Sequence, residues 1–177
     1  MTADITLRPF TEDDFDKLIG WVDSPSFLLQ WAGPIFSYPL DESQLREHLE
    51  ATNDPEPSRL AFKAVDSTEQ MVGYVELNTI DRRNLSASVS RVIVSPDERG
   101  RGHGTSMLHR LLEIGFEELG LHRIELRVFD FNESAITCYE KVGFTREGTL
   151  REARRHEDEY WTLVQMSVLE NEWRTGA

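Results

Sequence analysis

The chain has 177 residues, one cysteine and a formal net charge of −13 at pH 7, which predicts one domain over residues 1–177 and excludes an internal disulfide. So acidic a chain lacks the basic surface that general nucleic-acid binding needs, and its acidity favours either solubility or the steering of a cationic amine. It shows no leader with a basic start and an apolar stretch, and no apolar run of membrane-spanning length, so we expect a cytoplasmic protein without membrane contact.

The first half of the chain predicts a strand, two helices and three further strands. Residues 5–9 form the opening strand, a short helix begins at Thr11, and Asp41 with Gln44 resembles a capping box at the start of the second helix. Apolar and alternating runs between turn residues predict the next strands, at residues 60–66, 71–80 and 86–94.

An aromatic segment lies between these two helices. Residues 27–39 hold Phe, Trp and Tyr and are interrupted by Gly and Pro, which is typical either of a loop beside a substrate site or of core packing between helices. We expect core packing for residues 27–29, and we select Trp31 and Tyr38 as candidate residues of an acceptor pocket.

A glycine-rich basic loop follows the strand at residues 86–94. The run Val92-Ile93-Val94 stops at Pro96, and Arg99-Gly100-Arg101-Gly102-His103-Gly104 then leads into a helix predicted over residues 105–119. The unpaired N–H groups of a first helical turn and the helix dipole attract anions, and glycine lets the backbone approach them closely. The loop is therefore expected to hold phosphates.

This loop differs from the two common nucleotide-binding motifs. The phosphate loop of nucleotide-hydrolysing enzymes needs Gly-Lys, which the sequence lacks, and the pattern G-x-G-x-x-G fails at Thr105 and at Met107. The pattern R-x-x-G-x-G does match, at Arg99, Gly102 and Gly104. In this respect the chain resembles the GNAT superfamily of acetyl-CoA-dependent N-acetyltransferases.

A second segment extends the resemblance. A strand predicted at residues 122–128 is followed by Asn132, a good helix N-cap, and by a helix that stops at Gly143. Asn132-x-x-Ala135 and the run from Tyr139 to Phe144 resemble the second GNAT signature. The resemblance implies that Asn132 and Ala135 contact the pantetheine arm and that Tyr139 lies beside the thioester sulfur.

The order of the elements predicts an α/β fold of mixed type. Strands at residues 144–152 and 161–169 complete the order β-α-α-β-β-β-α-β-α-β-β. This order predicts a central, mixed and mostly antiparallel twisted sheet flanked by helices, and the GNAT layout has the same order. Residues 160–173 resemble the branch that includes ribosomal-protein N-terminal acetyltransferases, whose members also acetylate small amines.

The resemblance implies direct transfer of acetyl from acetyl-CoA to a primary amine, with no metal. It assigns acetyl-CoA binding to Val92, Ile93, Val94, Arg99, Gly100, Arg101, Gly102, His103, Gly104, Thr105, Asn132 and Ala135. A backbone N–H of residues 92–94 would polarise the thioester carbonyl. Tyr139 is the candidate general acid, because a phenol is protonated at neutral pH. The alternative is a structural role, in which Tyr139 packs at the edge of the core with its hydroxyl in contact with water.

Several groups are candidates for the general base, and the sequence does not choose between them. Glu76 alternates with apolar residues on a predicted strand, where an unpaired carboxylate is costly, so it is either the base or the partner of an arginine such as Arg91. We expect His48 to be solvated, His103 to assist anion binding and Cys138 to act as a small apolar residue. Transfer without a base is a further alternative, since an amine of low pKa arrives neutral.

Two functions of different classes are consistent with these motifs. An acetyltransferase that acts on a small amine or on a peptide N-terminus is favoured by Tyr139, because a protein that only binds acyl-CoA has no use for the acid. The alternative is a catalytically silent acyl-CoA-binding module on the same fold. In either case the chain is expected to be a monomer or a homodimer.

Overall fold

The computed structural model describes residues 4–176, so the domain limits predicted at residues 1 and 177 lie outside the described residues. Within this range the strands are β1 (Thr6–Pro9), β2 (Leu60–Val65), β3 (Met71–Asp81), β4 (Ser86–Val94), β5 (Arg123–Phe129), β6 (Thr145–His156) and β7 (Glu159–Leu169). The helices are α1 (Phe15–Gly20), α2 (Pro25–Ala32), α3 (Glu42–Glu50), α4 (His103–Glu113), α5 (Glu133–Val142) and α6 (Glu170–Thr175). Among them no helix has the length and apolar character needed to span a membrane.

One sheet organises the described chain, with the strands in the order β1-β2-β3-β4-β5-β7-β6. β4 and β5 pair in parallel, and each of the other neighbouring pairs is antiparallel. The mixed and mostly antiparallel sheet that the element order predicts is thereby confirmed. Its strands alternate side chains between two faces, so each face needs its own covering.

The two faces of the sheet carry separate hydrophobic cores. Helices α4 and α5 pack on one face, where Leu111, Leu126 and Met166 are fully buried. Helices α1 to α3 pack on the other face, and Leu18 and Leu45 are buried there. Among the described residues this second core includes β2, β3 and β4 but no residue of β5 to β7. That face of β5 is consequently free to carry polar side chains.

Helix α2 lies in the aromatic segment that the sequence left open between a loop and core packing, and it is absent from the predicted element order. Ser24 caps it, because its hydroxyl accepts a hydrogen bond from Phe27 N at 3.3 Å, and Pro25 occupies the first helical position. Leu28 is buried in the core, as expected, whereas Phe27 is only half-buried. Ser24 and Pro25 are a helix-start signal in the sequence. The helix was not predicted because the segment after them is rich in aromatic residues, Gly and Pro.

Only half of the capping box predicted for α3 is present. Asp41 Oδ1 accepts a hydrogen bond from Gln44 N at 3.0 Å, as expected of an N-cap. The Gln44 side chain instead bonds the preceding loop, accepting from Ser37 N at 2.7 Å and donating to Pro39 O at 3.1 Å. Gln44 therefore fixes the connection between α2 and α3 rather than the first turn of α3.

A β-bulge in β4 changes the direction of the strand at Arg91. Tyr74 of β3 pairs with Ile93 and Glu76 pairs with Ser90, so two residues of β4 lie opposite one residue of β3. Arg91 has a φ of 53°, a left-handed conformation that is unfavourable for a residue with a side chain. The extra residue exchanges the faces of the side chains that follow it and shifts the register of the β3–β4 pairing, which continues at Ile93 and Val94.

Candidate active site

A cleft opens where β4 and β5 separate. The two strands pair only between residues 86–89 and 123–126. Beyond this point a cavity of about 850 Å³ lies between the strand ends and helices α2, α4 and α5. It is lined by most of the predicted site residues, namely Trp31, Val92, Ile93, Val94, Arg99, Gly100, Gly102, His103, Gly104, Thr105, Asn132, Ala135 and Tyr139. Glu76, Tyr38 and Arg101 are the predicted residues that do not line it.

The glycine-rich loop presents bare backbone at one end of the cleft. Gly100 and Gly102 have φ values of 77° and 84°, which glycine adopts without strain. Gly102 is the N-cap of α4 and no side chain caps this helix, so the N–H groups of its first turn have no capping partner. A Cβ added at Gly104 would lie 3.6 Å from Val94 Cγ2 and 3.7 Å from Cys138 Sγ. The loop therefore fits a pyrophosphate at a helix N-terminus.

The three basic residues of this loop are used in different ways. Arg99 donates from Nε to Val94 O at 3.3 Å, and its guanidinium lies 5.7 Å from the ring centroid of Phe27. Arg101 extends into solvent and pairs with Glu98 at 2.9 Å, which explains its absence from the cleft. His103 is mostly buried, with Nε2 3.3 Å from the same carboxylate of Glu98.

Asn132 opens α5 beside the middle of the cleft. Its Oδ1 accepts a hydrogen bond from Ala135 N at 3.4 Å, so the N-cap predicted from the sequence is confirmed. Both residues line the cleft.

Tyr139 is buried on the α5 side of the cleft. Its side chain packs against Phe144, with ring centroids 5.9 Å apart, and only 8 % of the residue is exposed. No hydrogen bond to its hydroxyl is formed by any side chain of residues 4–176. Burial raises the pKa of Tyr139 well above its ordinary value of 10, so the phenol is protonated at neutral pH. Cys138, its neighbour, contacts the Thr105 hydroxyl, with Oγ1 and Sγ 3.4 Å apart.

Glu76 lies outside the cleft in a buried polar cluster. One carboxylate oxygen accepts from the Tyr74 hydroxyl and lies 2.9 Å from His48 Nε2. The other lies 2.8 Å from Arg91 Nη2 and 3.5 Å from Arg59 Nε. Burial alone would raise the pKa of Glu76, but the hydrogen bonds and charges of His48 and Arg91 outweigh it and lower the pKa to about 2.

Of the two roles that the sequence left open for Glu76, this geometry supports the ion pair with Arg91. A carboxylate whose pKa is about 2 has little affinity for a proton at neutral pH, which suits it poorly to general base catalysis. The expectation of a solvated His48 is wrong, because only 9 % of its side chain is exposed and α3 directs it toward Glu76.

The two aromatic candidates for the acceptor pocket differ in position. Trp31, on α2, lines the cleft and is 8 % exposed. Tyr38 lies in the loop after α2 and is 45 % exposed, and its hydroxyl donates to Asp23 O at 3.2 Å. The turn at Gly33–Ile35 carries the chain away from the cleft, so Tyr38 contacts the loop before α2 instead.

Several cleft residues were missed by the sequence analysis. From α2, β4, β5 and β6 these include Phe27, Gln30, Ser88, Ser90, Arg91, Arg127, Phe129 and Arg154. A signal for some of them was present, because Ser86, Ser88 and Ser90 alternate with buried residues along β4. That alternation indicates a strand with one polar face. Whether this face lines a cleft or is covered depends on how far α1 to α3 extend over the sheet, which the local sequence does not reveal.

Comparisons with known proteins agree with the motifs. The model of the acetyltransferase (GNAT) domain family matches residues 4–145. The chain is 26 % identical to a spermidine N(1)-acetyltransferase of Vibrio cholerae over 98 % of this chain and 97 % of the relative. It is 27 % identical to an aminoglycoside N(6')-acetyltransferase type 1 of Klebsiella pneumoniae, over 82 % of this chain and 76 % of the relative.

A solved structure supports the fold. The crystal structure of spermidine N-acetyltransferase from Vibrio cholerae in complex with CoA and spermine superposes with a TM-score of 0.84. The two chains are 26 % identical, and the match covers 97 % of this chain and 98 % of the other. With its glycine-rich loop, its parted strands and the family match, this chain belongs to the GNAT family and is an acetyl-CoA-dependent N-acetyltransferase.

Proposed function

We propose that this enzyme acetylates the primary amine of a small molecule by direct transfer, with Tyr139 as the general acid. The observation that carries the proposal is the position of Tyr139, buried and protonated in the same cleft as the uncapped first turn of α4. Relatives named for acetylating spermidine and an aminoglycoside support a small amine as the acceptor.

The cleft residues divide the binding of acetyl-CoA among three surfaces. The N–H groups at Gly102–Gly104 would receive the pyrophosphate, where the helix dipole favours negative charge. The edge of β4 at residues 92–94, which has no partner in β5, and the start of α5 at Asn132 and Ala135 would hold the pantetheine between them. Bound there, acetyl-CoA supplies the acetyl thioester on which the acceptor acts.

Chemistry at the thioester needs a donor for the carbonyl oxygen and a proton for the sulfur. As the amine nitrogen forms its bond to the carbonyl carbon, an N–H of residues 92–94 donates to the oxygen that becomes negative. Preorganised donors of this kind contribute about 2.7–4 kcal/mol to transition-state stabilisation. Tyr139 then donates its phenolic proton to the sulfur as the carbon–sulfur bond breaks, and it is reprotonated from solvent.

The amine loses its own proton without help from Glu76. The carboxylate is enclosed by Tyr74, His48, Arg59 and Arg91, and its pKa of about 2 disfavours proton uptake. We infer that the acceptor enters as the neutral amine and that the proton released after its attack passes to water. The rate should then rise with pH as the fraction of neutral amine rises.

Release of CoA thiol tests the proposed function directly. The purified chain is incubated with acetyl-CoA and, in turn, with polyamines, aminoglycosides, amino acids and short peptides, and thiol release is followed with time. Release that depends on one class of amine supports the proposal. Tight binding of acetyl-CoA with no release for any class contradicts it and favours the acyl-CoA-binding module.

A further inference from the structure

The acceptor end of the cleft contains buried polar atoms that the protein does not satisfy. Trp31 Nε1, Ser90 Oγ and Arg91 Nε are buried and find no hydrogen-bond partner among the described residues, and all three residues line the cleft. Trp31 is 8 % and Arg91 9 % exposed. A buried polar group without a partner destabilises the fold, because it loses its hydrogen bonds to water and gains none in return. Three such groups around one cavity indicate a ligand that supplies the partners.

The chemistry of these atoms restricts that ligand. The indole N–H and the guanidinium Nε–H can only donate hydrogen bonds, while the Ser90 hydroxyl can donate or accept. The matching group is an oxygen acceptor, such as a carbonyl or a carboxylate. An ammonium also only donates, so it satisfies neither Trp31 nor Arg91.

Charged side chains that line the cleft also favour a ligand oxygen over an ammonium group. Arg127 donates to Gln165 Oε1 at 2.8 Å and Arg154 donates to the carbonyl of the preceding residue at 2.9 Å. Neither forms an ion pair with a carboxylate of residues 4–176. Glu125 also lines the cleft, but Arg123 pairs with it at 2.9 Å. A second ammonium on the acceptor would therefore meet unneutralised guanidinium groups.

We propose that the acceptor is a primary amine with a carbonyl or carboxylate oxygen close to the nitrogen, as in an amino acid or an amino-acid amide. This rests on the proposed function and names its substrate class. Trp31 and Arg91 bind the oxygen, and the pair between Arg91 and Glu76 holds the guanidinium at the cleft wall. A linear polyamine lacks this oxygen and is a poor acceptor for this chain.

Three compounds that differ in one group test the preference. Alaninamide, alanine and 1,2-diaminopropane share the amine-bearing carbon and its methyl group, and spermidine serves as the polyamine. Each is titrated calorimetrically into the protein saturated with CoA, and each is assayed for thiol release at equal concentrations of neutral amine. We expect alaninamide or alanine to bind, and to react in kcat/KM, at least tenfold better than 1,2-diaminopropane or spermidine. The comparison of alanine with alaninamide distinguishes a carboxylate from a neutral carbonyl.

The Trp31→Phe variant identifies the donor responsible. It keeps an aromatic ring and removes the N–H, so we expect it to lose about fivefold or more in affinity for the oxygen-bearing compounds and none for 1,2-diaminopropane. Trp173→Phe is the matched control, because Trp173 packs against Phe116, with centroids 5.4 Å apart, in the core on the other face of the sheet. If Trp31→Phe does not fold, Ser90→Ala replaces it in the same comparison.

Three results would overturn the inference. These are equal or better binding of a polyamine, no binding of any of the four compounds, and an equal loss for all of them in the Trp31→Phe variant. Selective binding of the oxygen-bearing compounds with no thiol release from any amine would instead contradict the proposed function while supporting the binding preference. The two proposals can therefore fail separately.

Discussion

Arg91 Nη2 and Glu76 Oε2 lie 2.8 Å apart across β3 and β4, and both side chains are buried. Arg91 is also the bulged residue of β4, with a φ of 53°. The ion pair thus joins the residue at which β4 shifts its register to a carboxylate that also contacts His48 of α3 and Arg59, the residue before β2. One wall of the cleft therefore depends on a polar cluster of which only Arg91 lines the cleft.

Replacing Glu76 by Gln should destabilise the protein strongly. The change leaves Arg91 buried without an opposite charge, and breaking a buried pair from one side typically costs about 3–5 kcal/mol. We expect a loss of this size in the free energy of unfolding, measured with urea. Glu113→Gln is the control, since Glu113 pairs with Arg110 at 2.8 Å on the surface and exposed pairs contribute less than about 1 kcal/mol. Equal losses in the two variants would contradict a stabilising role of the cluster.

The stability of the protein should fall in acid because of the same carboxylate. The pKa of Glu76 is lowered from 4.5 in the unfolded chain to about 2 in the fold, so the unfolded state binds the proton more readily. The contribution is fully present above pH 4.5 and is lost as the pH falls from there through 2. Unfolding free energies from pH 6 to pH 2 should therefore decline more steeply for the natural chain than for Glu76→Gln. Glu147, whose pKa is also lowered to about 2, affects both proteins alike and cancels in the difference.

Replacing Tyr139 by Phe should slow turnover with little effect on acetyl-CoA binding. The variant keeps the ring that packs on Phe144 and removes the proton that the sulfur needs, so we expect kcat to fall more than tenfold and the KM for acetyl-CoA to stay within about twofold. Tyr160→Phe is the control, as Tyr160 is 58 % exposed on β7. An unchanged kcat in Tyr139→Phe would remove the general acid from the mechanism.

Burial of Tyr139 also predicts the alkaline side of the pH profile. Because its pKa is raised above 10, the phenol stays protonated where an exposed tyrosine ionises. The kcat of the natural chain should show no decline up to pH 10, provided that the protein stays folded by circular dichroism. A decline with a midpoint below 10 would indicate a different acid.

A side chain at Gly104 should weaken binding of CoA. A Cβ there would already lie at contact distance from Val94 and Cys138, so the two methyl groups of a valine have only the cleft to enter. We expect Gly104→Val to raise the dissociation constant for CoA at least tenfold in calorimetry. Gly148→Val, on β6, is the control because a Cβ there meets nothing within 4 Å. Unchanged affinity in Gly104→Val would place the pyrophosphate elsewhere.

The acceptor preference that we propose differs from the activity for which the relatives are named. The spermidine acetyltransferases match nearly the whole chain at about a quarter identity, and that likeness establishes the family and the fold. The acceptor site that we propose consists of side chains on α2, β4 and β5 that line the cleft, such as Trp31, Ser90 and Arg127. Side chains at these positions can change without altering the fold, so the acceptor has to be read from this chain's own cleft.

The local chemistry of the sequence determined most of the element order and the conformation of the glycine-rich loop. Glycines at positions 100 and 102 adopt the left-handed conformation that their lack of a side chain permits, and Asn132 caps α5 through a hydrogen bond within three residues. Such features depend on neighbours along the chain, so motif and periodicity sufficed to predict them. The predicted order lacked two helices, α2 and α6. For α2, the aromatic, Gly and Pro content left the segment open between a loop and core packing.

The tertiary structure alone decided the role of Glu76 and the composition of the acceptor end. His48 lies 28 residues before Glu76 in the sequence and 2.9 Å from it in space, and the shift of register at Arg91 decides which side chains of β4 reach the cleft. A carboxylate acquires its pKa from the charges and donors that enclose it, and a buried N–H is left unpaired only by the packing around it. The pKa and the unpaired N–H both depend on contacts between segments that are distant in the sequence, and local sequence patterns do not reveal such contacts.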